Sequence, residues 1–141
     1  MISDDLKLTG NLTIAVNDEI VQETKNLVVT AGKNFVASRM KDTTKAAMTH
    51  MAVGTGTTAA AAGNTTLVSE TDRNALTSTT VTNNEIAYVC TWAAGDATAA
   101  LTEAGIFNAS SGGDMLCRTV FSVVNKGASD SMTITWTVTA S

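Results

Sequence analysis

Met132-Thr133-Ile134-Thr135-Trp136-Thr137-Val138-Thr139 alternates without a break, four apolar side chains on one parity and four threonines on the other. A period of two sends successive side chains to opposite faces of an extended chain, so this segment is a strand with one face on a core and one in water. Threonine is β-branched, loses rotamer freedom in helices and suits a pleated surface, which strengthens the assignment. The same alternation recurs from Lys7 to Val16, where Leu8, Leu12, Ile14 and Val16 oppose Lys7, Thr9, Asn11 and Thr13. It recurs again from Glu85 to Ala93, where Ile86, Tyr88, Cys90 and Trp92 share a face.

Working outward, Asn17-Asp18 is a turn signal, so Glu19 to Val29 reads as the second strand of an N-terminal hairpin. Asn74 to Val81 and Glu85 to Ala93, joined by Asn83-Asn84, read as another hairpin. Met48 to Gly54 and residues 101 to 108 are shorter apolar runs. Met115 to Val124 carries apolar residues on both parities, the pattern of a strand covered on both sides in the middle of the core. One helix is expected from Thr30 as its cap to near Asp42, with Phe35, Val36 and Met40 on the apolar face and Lys33, Arg39 and Lys41 solvated. The fold class is all-β: an antiparallel β-sandwich or jelly-roll-like domain of about eight strands, with an N-terminal hairpin and one short α-helix. We assign one domain, 1–141, comprising an arm and hairpin (1–29), a helix (30–42) and a β-sandwich module (48–141).

The 141 residues are 44% hydrophobic but only 16% charged, below the roughly 25% of ordinary soluble domains, so the surface is neutral and hydroxyl-rich. A net charge of -4 opposes a phosphate-binding surface, which needs clustered Lys and Arg; nucleic acid is not an expected partner. No run is long and apolar enough to span a bilayer, and Met1-Ile2-Ser3-Asp4-Asp5 lacks the basic and apolar regions of a signal peptide. The expectation is folding in a cytoplasm with no membrane partner, where Cys90 and Cys117 are buried free thiols.

Gly54-Thr55-Gly56-Thr57-Thr58-Ala59 fits the loose dinucleotide fingerprint, but Gly63 and Asn64 interrupt the helix that would have to receive a pyrophosphate. We expect no cofactor. His50 is the only histidine and reads as a loop or strand-edge side chain, and Glu70, Asp72, Glu85 and Glu103 show no catalytic or metal-binding spacing. No enzyme activity, metal or small-molecule substrate is expected. The acceptor tripeptides at Asn11, Asn64 and Asn108 read as products of composition. Glu103 lies between Leu101 and Ile106 in an apolar segment, and a buried carboxylate is costly unless paired. Arg73 and Arg118 are its candidate partners in a structural ion pair that would fix sheet register.

An ordered set of segments resembles a module of tailed-phage virion proteins. It comprises Ala52-Val53-Gly54-Thr55-Gly56-Thr57-Thr58, Leu67 with Glu70 and Arg73, and Leu101-Thr102-Glu103-Ala104-Gly105-Ile106-Phe107-Asn108. Leu116-Cys117-Arg118-Thr119-Val120-Phe121, Val124-Asn125-Lys126 and Thr133-Ile134-Thr135-Trp136-Thr137-Val138 complete it. The resemblance implies a β-rich assembly module of the kind found in tail-fibre and baseplate proteins and in small free-standing particle proteins.

A stand-alone module suits a capsid decoration, or cement, protein on the virion exterior, made in the bacterial host cytoplasm and bound to the major capsid protein. A homo-oligomer, a trimer on local three-fold positions, would multiply its contacts. Met1, Ile2, Ser3, Asp4, Asp5 and Leu6 are the candidate capsid-contacting arm. A tail-fibre or baseplate adaptor is the alternative. A carbohydrate-binding module would need exposed aromatic platforms, whereas Tyr88, Trp92 and Trp136 fall on apolar faces.

Overall fold

The computed structural model describes residues 6–41 and 45–141. Two five-stranded antiparallel sheets face each other, as expected of an all-β sandwich. β1 (Leu8–Val16), β2 (Glu19–Lys25), β6 (Ser78–Thr82), β7 (Glu85–Trp92) and β10 (Met132–Ala140) form the first sheet, in the order β2-β1-β10-β7-β6. β3 (Leu27–Val28), β4 (His50–Gly54), β5 (Glu70–Ala75), β8 (Ala99–Phe107) and β9 (Met115–Lys126) form the second, in the order β3-β9-β8-β4-β5. The helix α1 spans Thr30–Arg39.

The alternating segments bury the parity that their sequences mark. Leu12 and Ile14 of β1, Tyr88, Cys90 and Trp92 of β7, and Met132, Ile134, Trp136 and Val138 of β10 are buried. They meet Met51, Val53, Leu101, Ala104, Ile106 and Cys117 of the second sheet. The outer face of the second sheet is covered too. Ala52, Phe107 and Met115 pack there with Val29 and with Leu67 of the long loop between β4 and β5. This second layer is why the first half of β9 is apolar on both parities.

Two segments that read as single strands are each divided between the sheets. Glu19 to Val29 leaves the first sheet after Lys25, turns at Asn26, whose N–H donates to Gly10 O, and joins β9 as β3. On the opposite side the chain passes from β5 to β6 through Leu76 and Thr77, which donate to Thr49 O and Val89 O respectively. Strands that change sheets at corners are a recognised way to close a sandwich. Here one such crossing lies on each side.

The turns behave as their residues suggest. Asn17 and Asp18 both have positive φ (51° and 65°), as does Asn83 (53°), conformations that asparagine and aspartate tolerate better than other non-glycine residues.

The helix departs from expectation at both ends. Val29 is the N-cap and no side chain caps the helix; Thr30 instead occupies the first turn and donates its N–H to Ala62 O of the β4–β5 loop. A loop carbonyl thus takes the donor that a side-chain cap would have served. Met40, assigned to the apolar face, is 84% exposed at the C-cap, and the expected end at Asp42 lies outside the described residues. The inward contact is made by Phe35 and by Gly32, where a Cβ would collide with the Leu116 carbonyl of β9. The helix can approach this strand only with glycine at that position.

Candidate functional site: a buried carboxylate and a threonine face

Glu103 and Arg118 sit on adjacent strands beneath the β4–β5 loop, both fully buried. Arg118 donates to Glu103 Oε1 through Nε (3.1 Å) and Nη2 (3.0 Å). Three backbone amides complete the carboxylate: Gly56 and Ser69 donate to Oε2 at 2.7 Å, and Val68 donates to Oε1 at 2.9 Å. The remaining Arg118 donors reach Thr58 O (2.9 Å) and Asn64 Oδ1 (3.1 Å), and Thr102 Oγ1 donates to Gly56 O (2.8 Å). Burial alone would raise the Glu103 pKa. The amides of Val68, Ser69 and Gly56 together with Arg118 outweigh it and hold the carboxyl below its usual range.

The fingerprint-like glycine loop therefore spends its Gly56 amide on an internal carboxylate. A side chain at Gly56 would overlap the Glu103 carboxylate and Val68. The arrangement ties the loop to the sheet.

Arg73, the other candidate partner, does not reach Glu103. It pairs with Glu70 (2.7 Å), lies 3.7 Å from the Phe107 ring centroid, and donates to Ala109 O and Gly112 O, so it anchors the β8–β9 loop. The β4–β5 pairing places Arg73 across from Ala52, at the outer strand of the sheet, away from the Glu103 amide cradle. Sequence reading missed Lys126, buried at the end of β9, whose ammonium donates to Ala93 O (3.0 Å) and Asp130 O (2.6 Å).

His50 opens β4, partly exposed, with Nδ1 2.8 Å from Thr49 Oγ1. Among the described residues, no three His, Cys, Asp or Glu side chains converge to hold a metal ion. Cys90 and Cys117 are free and fully buried; burial pushes the Cys90 thiol up to about 12 and raises that of Cys117 as well. All six aromatic rings are also buried, Phe35, Phe107 and Phe121 with Tyr88, Trp92 and Trp136.

The surface has a different character. Across β1, β10, β7 and β6 of the first sheet's outer face, the registers set Thr13, Thr135, Val89 and Ser78 in one row, then Asn11, Thr137, Ala87 and Thr80, then Thr9, Thr139, Glu85 and Thr82, and β2 extends the first two rows with the charged Glu23 and Lys25. Within the four strands from β1 to β6 the one charged member of these rows is Glu85. Thr91 Oγ1 and Thr133 Oγ1 hydrogen-bond at 3.1 Å beside them.

At one end of the sandwich, Leu8, Phe35, Val36, Val81, Ile86, Tyr88 and Val138 line an apolar cleft of ≈ 260 Å³. It continues into a hollow bordered by Leu6, Lys33, Ala37 and Met40. Of the candidate arm, Leu6 is described and is 70% exposed there; Met1, Ile2, Ser3, Asp4 and Asp5 lie outside the described residues.

No protein-family description, curated protein or solved structure matches the chain.

Proposed function

We propose that this chain is a structural protein of a tailed-phage virion, a capsid decoration protein that binds and stabilises the major capsid shell from outside. The observation that carries this reading is the threonine face: three hydroxyl-rich rows, with charge at the Glu85 position and along β2, on a sheet whose other face is fixed to the core. Such a face can meet a repeated protein surface through many small contacts, without the desolvation cost of charges. Avidity over many identical sites then substitutes for one tight contact. The module-like segments noted above support the same reading. The buried aromatic rings give a sugar no stacking platform.

The tethered β4–β5 loop and the Glu103–Arg118 centre fit a part that holds its shape rather than one that turns over a substrate. On this reading the protein has no catalytic role, its partners are the major capsid protein and further copies of itself, and it resides on the virion exterior.

Quantitative mass spectrometry of purified particles tests the proposal. Hundreds of copies in fixed ratio to the major capsid protein are expected. A handful would assign the chain to a tail-fibre or baseplate adaptor, and absence from particles would overturn both. Thr135→Lys and Thr137→Lys, on the central strand of the face, should each abolish rebinding to stripped capsids while leaving the fold intact.

A further inference from the structure

We propose that the β6 edge is a self-association surface, pairing antiparallel with β6 of a second copy across a two-fold axis centred on Thr80. The inference stands apart from where the protein resides. A strand at a sheet edge presents a row of unpaired N–H and C=O groups, and natural proteins guard such edges with charge, proline or a bulge.

Two of the three long edge strands here are guarded. β2 carries Glu19, Glu23 and Lys25 and pairs with β1 through a bulge at Ile14/Ala15. β5 carries Glu70, Asp72 and Arg73 and has a bulge at Val53/Gly54 of its partner strand. β6 has neither device. Its five residues, Ser78, Thr79, Thr80, Val81 and Thr82, are all exposed, its register with β7 is unbroken, and no charge occurs from Asn74 to Asn84.

The occupant that fits is another copy of this chain. The molecule carries a net charge of -4, so two copies repel over most approaches and least where each presents this uncharged run. Pairing about Thr80 sets Ser78 opposite Thr82, Thr79 opposite Val81 and Thr80 opposite itself. These pairs are small or β-branched, and none opposes like charges.

The edge is also bordered by apolar surface. Val81 is 69% exposed and shares the inward face of the sheet with Ile86, its partner in β7, at the mouth of the apolar cleft. In the paired arrangement, Val81 of each copy lies beside Thr79 of the other on that same face, so strand pairing and apolar burial occur together. A three-fold ring would instead require β6 to meet a different edge of the next copy. The other edge strands of comparable length, β2 and β5, carry charge and lie beside a bulge, which favours the two-fold pairing over a ring built on either of them. Five residues a side is a small contact by the measure of stable dimers, and the association is correspondingly weak and concentration-dependent.

The test is light scattering of the purified full chain over a concentration series, together with oxidative cross-linking of Thr80→Cys. Cys90 and Cys117 are buried and do not interfere. We expect the mass to rise from 14.5 kDa towards twice that value with concentration. Thr80→Cys should form a disulfide-linked dimer in high yield, while Thr82→Cys, whose opposite residue is Ser78, should not. Thr80→Lys, with two like charges face to face, should weaken association by up to about fivefold at unchanged circular dichroism. A monomer at millimolar concentration, a trimer mass, or a dimer indifferent to Thr80→Lys would each overturn the proposal.

Discussion

Arg118 grips a single oxygen of Glu103 with two of its nitrogens, leaving the other carboxylate oxygen to the amides of Gly56 and Ser69. The division makes the ion pair a three-way joint between β8, β9 and the β4–β5 loop. Removing one partner strands a buried charge.

Glu103→Gln and Arg118→Met should each cost about 3–5 kcal/mol, read from urea midpoints. The double replacement Glu103→Gln with Arg118→Met should cost less than the two single changes added together, because it leaves neither charge unpaired. Additive costs would show that the two side chains act independently.

The acid limb of stability follows from two carboxyls held below their ordinary values. For Glu103 burial opposes the shift and the amides with Arg118 win; for Asp130 the Asn17 side chain and the Gly127 amide lower it. A depressed folded-state pKa means that the unfolded chain takes up protons first. The contribution is therefore whole above the unfolded values, 4.5 for Glu103 and 3.8 for Asp130, and is lost as pH falls through the lower folded values. Urea midpoints should be flat from neutral pH to about 5 and fall below 4.5. In Glu103→Gln that fall should be shallower.

Trp92 Nε1 and Trp136 Nε1 are buried without a hydrogen-bond partner. An indole in that position gives up part of what its packing gains. Trp136→Phe, which removes the orphan donor and keeps a ring, should cost less than half of the about 3–5 kcal/mol expected for Trp136→Ala. Equal costs would mean that the ring kept by Trp136→Phe recovers none of the packing. Thermal melts of the two variants decide it.

Neither thiol should react with a water-soluble disulfide reagent in native buffer, and both should react in urea without reductant. The basis is the complete burial of Cys90 and Cys117 and the upward shift of both thiols. Fast native labelling of either would contradict the packing.

Much of the fold was legible because period-two patterning reports which face of a strand is buried. That served β1, β7 and β10 well, and the two-sided apolar pattern of β9 announced the covering of its first half but not the exposure of Val123, which is 54% accessible. The same patterning is silent about which sheet a strand belongs to. Hence Glu19 to Val29 and Asn74 to Val81 read as unbroken, although each is divided between the sheets. β5 escaped notice from Glu70 to Arg73 because an exposed edge has no apolar parity to display.

At the candidate site, Glu103 stood out as an acid among apolar neighbours. Choosing Arg118 over Arg73 required the register of β8 on β9, a long-range fact that local spacing does not contain. Lys126 was missed for a related reason: its burial depends on carbonyls from two separate turns. The threonines of β10 were visible from the start, but their alignment with Thr9, Thr13 and Thr80 exists only once the strands are paired.

The position of β10 in the middle of its sheet has a consequence for biogenesis. β1 pairs with β10 from Leu8↔Ala140 to Val16↔Met132, and β7 lies on the other flank of β10. During synthesis the β1–β2 and β6–β7 hairpins emerge early, yet each is only a two-stranded ribbon, marginal in water on its own. The sheet that unites them cannot assemble on a ribosome still holding β10 in its exit tunnel. Assembly of this sheet accordingly waits for β10, which enters between two hairpins made before it.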